Sequence, residues 1–148
     1  MAASDITART EELVAQADAL HRRKFNCAQS VACALAPEVG ADFETCYRLA
    51  EGFGGGMGGN NETCGAISGA VIALSQLNSG GSDAAGTTKA ETYRLVDALV
   101  EGFRVKNGGT VCRELKGIGC DHGPLRSCPG CIEDAMRLAI GIIAESQR

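Results

Sequence analysis

At 148 residues the chain is long enough to bury a core as one domain, without disulfides to compensate for small size. Its acids and bases are interspersed to a net charge of −4, which excludes the basic patch that a nucleic-acid surface needs. No stretch is apolar and long enough to span a bilayer, and Met1–Leu13 lacks a signal-peptide core, so the expectation is one domain over residues 1–148 in the cytoplasm.

Ser4–Lys24 reads as a first helix, with Ile6, Leu13, Ala17 and Leu20 on one side. Asn26 is placed to cap a second, and Gln29 three residues on completes a capping-box pattern. That helix carries Cys27, Val31 and Leu35 on one face and stops at Pro37. Asp42 caps a third segment through Ala50.

Then comes Gly52-Phe53-Gly54-Gly55-Gly56-Met57-Gly58-Gly59, a loop whose glycines admit close approach of backbone or ligand at a cost in entropy. Gly54, Gly56 and Gly59 spell a literal G-x-G-x-x-G. The segment before it is helical where a dinucleotide fingerprint needs a strand, so nucleotide binding ranks low.

Thr63–Asn78 is a further helix, with an apolar stripe of Ile67, Val71 and Leu74. Gly65, Gly69 and Ala73 form a ridge of small residues on another face, which admits a second helix from the same chain or from a homodimer partner. Ser79–Ser82 is a connection. A long helix from Thr87 to Lys106 is expected to bury Tyr93, Val96, Val100 and Phe103 and to end at Asn107-Gly108-Gly109. Thr110 caps a short helix through Leu115, and residues 117–127 are irregular. Pro129 opens the last helix, with Ser127 or Cys128 as its cap and Ile132, Met136, Leu138 or Ala139, and Ile142 or Ile143 on its apolar face. With no period-two alternation, the fold class is all-α, a single bundle of about six helices with a glycine-rich loop.

Eight cysteines in a reducing compartment point to metal ligation or redox chemistry before structural disulfides. Cys27, Cys64, Cys112 and Cys131 each fall at the predicted start of a different helix. Unpaired N–H groups there favour the thiolate, which is both the nucleophile and the metal ligand. Cys33 and Cys46 read as core positions, and Cys120 lies in a loop. Cys128-Pro129-Gly130-Cys131 is a CxxC at a helix start, an arrangement shared by dithiol oxidoreductases and metal sites. His21 reads as a surface residue near a helix end, and His122 as a loop histidine.

Asn26-Cys27-Ala28-Gln29-Ser30-Val31, Gly52-Phe53-Gly54-Gly55-Gly56-Met57-Gly58, Cys64-Gly65-Ala66-Ile67-Ser68-Gly69, Cys112-Arg113-Glu114-Leu115 and Cys131 with Asp134-Ala135 together resemble the C_GCAxxG_C_C family. The resemblance implies redox activity without fixing the reaction. It also implies four signature cysteines, which map onto Cys27, Cys64, Cys112 and Cys131, the four that the helix-start argument selects. A related helical domain occurs in split-Soret-type cytochromes, where an iron–sulfur centre accompanies haem. This chain has no Cys-x-x-Cys-His, so covalent c-type haem is not expected. Cys128 departs from the single-cysteine pattern at its position.

Three functions follow as expectations. The first is an electron-transfer protein with a [2Fe–2S] or [4Fe–4S] cluster on Cys27, Cys64, Cys112 and Cys131, the amides of Gly55 and Gly56 donating to its sulfurs. Its electron donor or acceptor would be a redox partner protein. The second is a metal-free thiol–disulfide oxidoreductase or redox sensor, working through Cys128 and Cys131, or Cys27 and Cys64. The third is a zinc-stabilised helical interaction module.

Overall fold

The computed structural model describes residues 3–147, which form helices α1 (Ala3–Ala8), α2 (Thr10–Arg22), α3 (Cys27–Leu35), α4 (Phe43–Ala50), α5 (Gly65–Asn78), α6 (Lys89–Asn107), α7 (Cys112–Lys116) and α8 (Cys128–Ser146). The fold is all-α. Among the described residues no strand forms, and the β contact is an isolated antiparallel bridge between Thr63 and Val111. No helix among them is long and apolar enough to cross a membrane.

The first expected helix is two. The Thr10 hydroxyl donates to the Thr7 carbonyl at 2.7 Å, using the acceptor that the next turn of an unbroken helix would take. Arg9 sits at the break with φ −102° and ψ 16°, and its guanidinium reaches across to Glu38. The capping box of α3 forms as the sequence predicts. The Asn26 side chain accepts from the Gln29 N–H at 2.9 Å, and the Gln29 side chain accepts from the Asn26 N–H at 3.0 Å. Asp42 caps α4 through the Thr45 N–H, and Ser127 caps α8 through the Gly130 N–H. Pro37 ends α3 in a 3-10 turn, Ala36–Val39, closed by left-handed Gly40.

The long helix α6 buries Phe103 as expected, but the rest of its buried row is shifted by one position from the expected face. Leu95, Leu99 and Phe103 go into the core, while Tyr93 is 65% exposed and Val96 and Val100 are half-buried at the margin. The residues 95, 99 and 103 form an i, i+4, i+8 row, and the row through Val96 and Val100 lies along its edge. Burying each of Leu99 and Phe103 contributes about 1.5–3 kcal/mol.

Helix α8 is the hub, contacting α1, α2, α3, α5 and α6. Its Ile132, Ala135, Met136, Ala139, Ile140 and Ile143 are buried. The small-residue ridge of α5 is filled by α3 of the same chain. A Cβ at Gly69 would lie 2.4 Å from the Ala28 carbonyl oxygen, and one at Gly65 would lie 3.3 Å from the Cys27 Cβ. The glycines therefore let α3 sit almost backbone to backbone on α5, which brings Cys27 beside the start of α5.

Candidate functional site: a thiol cavity at the helix starts

Four helix starts converge on one place. Cys27 is the first residue of α3, Cys112 the first of α7 and Cys128 the first of α8, with Cys131 one turn further on. Cys64 occupies the capping position of α5 rather than its first turn, with φ −54° and ψ 130°. The bridge at Thr63 and Val111 ties two of these starts together. The Cys64 N–H donates to the Thr110 carbonyl at 2.9 Å, and the Cys112 N–H to the Glu62 carbonyl at 2.6 Å.

The glycine loop closes one wall. Gly55 and Gly56 are both left-handed, with φ of 64° and 69°, so the nominal turn Gly54–Met57 is not a regular helix. A Cβ on Gly56 would stand 2.7 Å from the Cys112 Cβ and 2.7 Å from the Glu62 nitrogen, so only glycine fits beneath Cys112. Gly54 is required for a second reason. Its Cβ would overlap the Asn26 side chain, whose Nδ2 donates to the Glu51 carbonyl at 2.9 Å. The residue that caps α3 thus also pins the loop.

Cys27, Cys64, Cys112, Cys128 and Cys131 line a single cavity with Gly55, Gly56, Gly65, Leu115, Lys116 and Arg126. The cavity is about 20 Å³, room for roughly one water molecule. Within it the thiols influence one another electrostatically, Cys27 with Cys128 and Cys64 with Cys131. In each pair one thiol stabilises the other's thiolate. Cys128 is pushed down to about 6, chiefly by Cys27, with Lys116 and His21 adding positive charge. Cys27 is raised in turn by Cys128 and by burial. Cys64 is lowered by Cys131, against the effect of burial, while Cys131 is raised by Cys64. The Ala66 and Ile67 N–H groups also favour the Cys64 thiolate. They act as partial positive charges at the helix start, since Cys64 makes no side-chain cap hydrogen bond. Cys112 has no such partner. Burial raises it, and Lys116 pulls it part of the way back.

The remaining cysteines lie elsewhere. Cys33 and Cys46 are buried within α3 and α4. Burial, with Cys46 and Glu44 nearby, pushes Cys33 up to about 12. Cys120 is half-buried in the loop after α7 and donates toward the Ile118 carbonyl. His122 is exposed, with Nδ1 2.7 Å from the Gly123 carbonyl oxygen.

Two cations at the cavity, Lys116 and Arg126, escape a reading of the sequence. They are brought together when residues 117–127 fold back, the Leu125 and Arg126 N–H groups both donating to the Leu115 carbonyl. No motif marks them. In the fold Gly130 leaves room for Arg126, whose Nε a Cβ there would approach to 2.4 Å.

The wall offers five thiols and no imidazole or carboxylate. Among the described residues no three His, Cys, Asp or Glu side chains are grouped to hold a single metal ion. That grouping is what a zinc-stabilised module would need. An iron–sulfur cluster is commonly held by four thiolates spread around a body several atoms wide. The donor chemistry fits such a cluster, and the paired thiols must part to accept one.

A family model described as "Putative redox-active protein (C_GCAxxG_C_C)" matches residues 25–142. No curated protein matches the chain, and no solved structure does.

Proposed function

The chain belongs to the C_GCAxxG_C_C family, and from that membership we propose that it is an electron-transfer protein holding an iron–sulfur cluster on Cys27, Cys64, Cys112 and Cys131. The observation that carries the reading is the convergence of these cysteines, from four separate helix starts, on one cavity. When bound, the cluster supplies reversible one-electron chemistry.

The chain's own residues then have defined tasks. Helix starts at α3, α5, α7 and α8 favour negative charge, so they stabilise thiolates gathered at close quarters. Lys116 and Arg126, in the same lining, offset the summed charge. The consecutive left-handed Gly55 and Gly56 form a turn of the kind whose N–H groups accommodate anions, which suits them to donate to sulfur. Leu115, Gly65 and the glycine loop restrict water.

Anaerobic purification tests the reading. Iron, acid-labile sulfide and visible charge-transfer absorption are expected in the wild-type protein and in Cys33→Ser, and should be lost in Cys64→Ser. Iron and sulfide retained in Cys64→Ser would remove that ligand from the set. A colourless wild-type protein, or one carrying stoichiometric zinc, would overturn the cluster.

A further inference from the structure

The chain carries a run of three cations, Arg22-Arg23-Lys24, that the proposed function leaves without a task. The fold sets this run at the thiol end of the bundle. Helix α2 runs antiparallel to α8. Glu11, near the start of α2, pairs with Arg137, whereas Asp18, near its end, shares an outer pocket with Arg126, Ser127 and Pro129. Asp18 in turn pairs with Arg22 at 2.6 Å. Lys24 is left-handed, with φ 75°, so the chain turns at once from α2 toward α3. Cys27, at the start of α3, is then within about 11 Å of Lys24 along the chain. Cys27, Gly55, Lys116, Arg126 and Cys128 are the cavity-lining residues that reach solvent, and they mark its mouth.

We propose that this mouth is the docking surface for an acidic electron-carrier protein, met by a collar of Arg23, Lys24, Lys116 and Arg126. Calling the partner an electron carrier rests on the cluster reading; the place of the surface and the sign of its charge do not. Arg23, Lys24 and Lys116 are exposed, and among the described residues no carboxylate pairs with any of them. Arg23 lies over the Phe25 ring, 5.4 Å from its centroid, which leaves its charge at the surface. Of the neighbouring acids, Asp18 is taken by Arg22 and Glu114 lies against Gly109, while Glu51 and Glu62 flank the glycine loop on the other side. Exposed apolar side chains accompany the collar: Met57 next to the lining glycines, Ile118 two residues past Lys116 and Leu125 just before Arg126. Apolar contacts inside a charged rim are the anatomy of a protein interface. The whole chain, at −4, repels an acidic partner, so attraction has to come from this local excess of positive charge and fade as salt screens it.

The experiment uses the full chain, purified anaerobically, with a fluorescein-labelled octaglutamate peptide as the acidic probe. Fluorescence anisotropy is followed at rising salt, and carbodiimide coupling joins the bound peptide to nearby lysines for mass spectrometry. The expected result is binding at low ionic strength that salt abolishes, with coupling at Lys24 and Lys116. The double variant Arg23→Glu, Lys24→Glu should weaken binding at least about fivefold, and so should Lys116→Glu. Lys89→Glu makes the same charge change at the opposite end of α6 from Lys106, which pairs with α8 beside the cavity, and should leave binding unchanged. Equal losses in Lys89→Glu, or coupling mainly at Lys89, would overturn the proposal. So would tighter binding of an oligothymidylate of equal charge, which would assign the collar to nucleic acid. Iron and sulfide are assayed on the same sample. Octaglutamate held at the collar of an iron-free protein would keep the surface and remove the cluster, and a loaded protein that binds none would do the reverse.

Discussion

Arg126 crosses over Gly130 to reach Asp134, its Nε 3.0 Å from one carboxylate oxygen and its Nη2 3.2 Å from the other. Asp134 is 1% exposed, and Lys106 Nζ also meets its carboxylate, at 2.9 Å. Burial alone would raise this carboxyl, but Arg126, Lys106 and the Asn107 side chain together outweigh it and hold the group below its ordinary range. The carboxylate is thus the anchor that keeps Arg126 at the cavity wall.

Replacing Asp134 with Asn should cost about 1–3 kcal/mol in urea denaturation, moderated because both cations can still reach water. Since the folded carboxyl is depressed, its contribution is present above the unfolded value of roughly 3.9 and is lost as pH falls through the folded one. The gap between wild type and Asp134→Asn should therefore shrink below about pH 4. A constant gap from pH 7 to pH 3 would show that the charge is not what stabilises.

Two glycine substitutions should move stability in opposite directions. Gly69→Ala puts a methyl group 2.4 Å from the Ala28 oxygen, and because that neighbour is backbone, α3 and α5 must separate. A loss of about 1–3 kcal/mol is expected. Gly141 lies in α8, exposed, with nothing within 4 Å of a new Cβ, so Gly141→Ala should gain about 0.5–1 kcal/mol from helix propensity. Thermal melts of the two variants would decide, and a neutral Gly69→Ala would refute the close packing.

Asn26 holds two structures at once, which separates its substitutions. Asn26→Ala removes both the cap on α3 and the link to Glu51, at an expected cost of about 1–2 kcal/mol. Asn26→Asp keeps the acceptor for the Gln29 N–H and loses only the Nδ2 donor, so it should be the milder change. Equal losses in chemical denaturation would mean that the loop link carries no weight.

The Cys27–Cys128 pair sets a pH dependence in the reduced, cluster-free chain. With Cys128 depressed to about 6, the folded pair gives up one proton that unfolded thiols keep until roughly pH 8.5. Stability relative to Cys128→Ser should therefore rise as pH goes from 6 to 8.5. Above that range the unfolded chain sheds both protons, while Cys27, raised in the fold, retains its own, so the advantage should decline. Denaturation midpoints from pH 5 to pH 10 test this, and a flat difference would rule out the coupling.

What was legible in the sequence was local. The Asn26, Asp42 and Ser127 caps each depend on residues three apart, and all three form as their spacing predicts. The same signals place Cys27 and Cys128 at helix starts. The expected Thr110 cap does not form, Val111 preceding α7 without a side-chain cap, and Cys64 itself takes the capping position of α5. What was hidden depends on distant partners. The break at Arg9 involves Glu38, the buried face of α6 is set by α5 and α8 together, and Arg126 is held by a carboxylate two turns into α8. CxxC spacing suggested that Cys128 and Cys131 act together, but which sulfur each one meets depends on how α3 and α5 lie against each other.

Every thiol pair in the cavity takes one member from α8. During synthesis Cys27 and Cys64 therefore emerge long before their partners exist. Until then they are unpaired thiols on the two helices that meet at Gly65 and Gly69 in the finished fold. Assembly of the centre is thus deferred until Cys128 and Cys131 have left the ribosome. Over that interval the nascent chain depends on its surroundings to keep the early cysteines reduced.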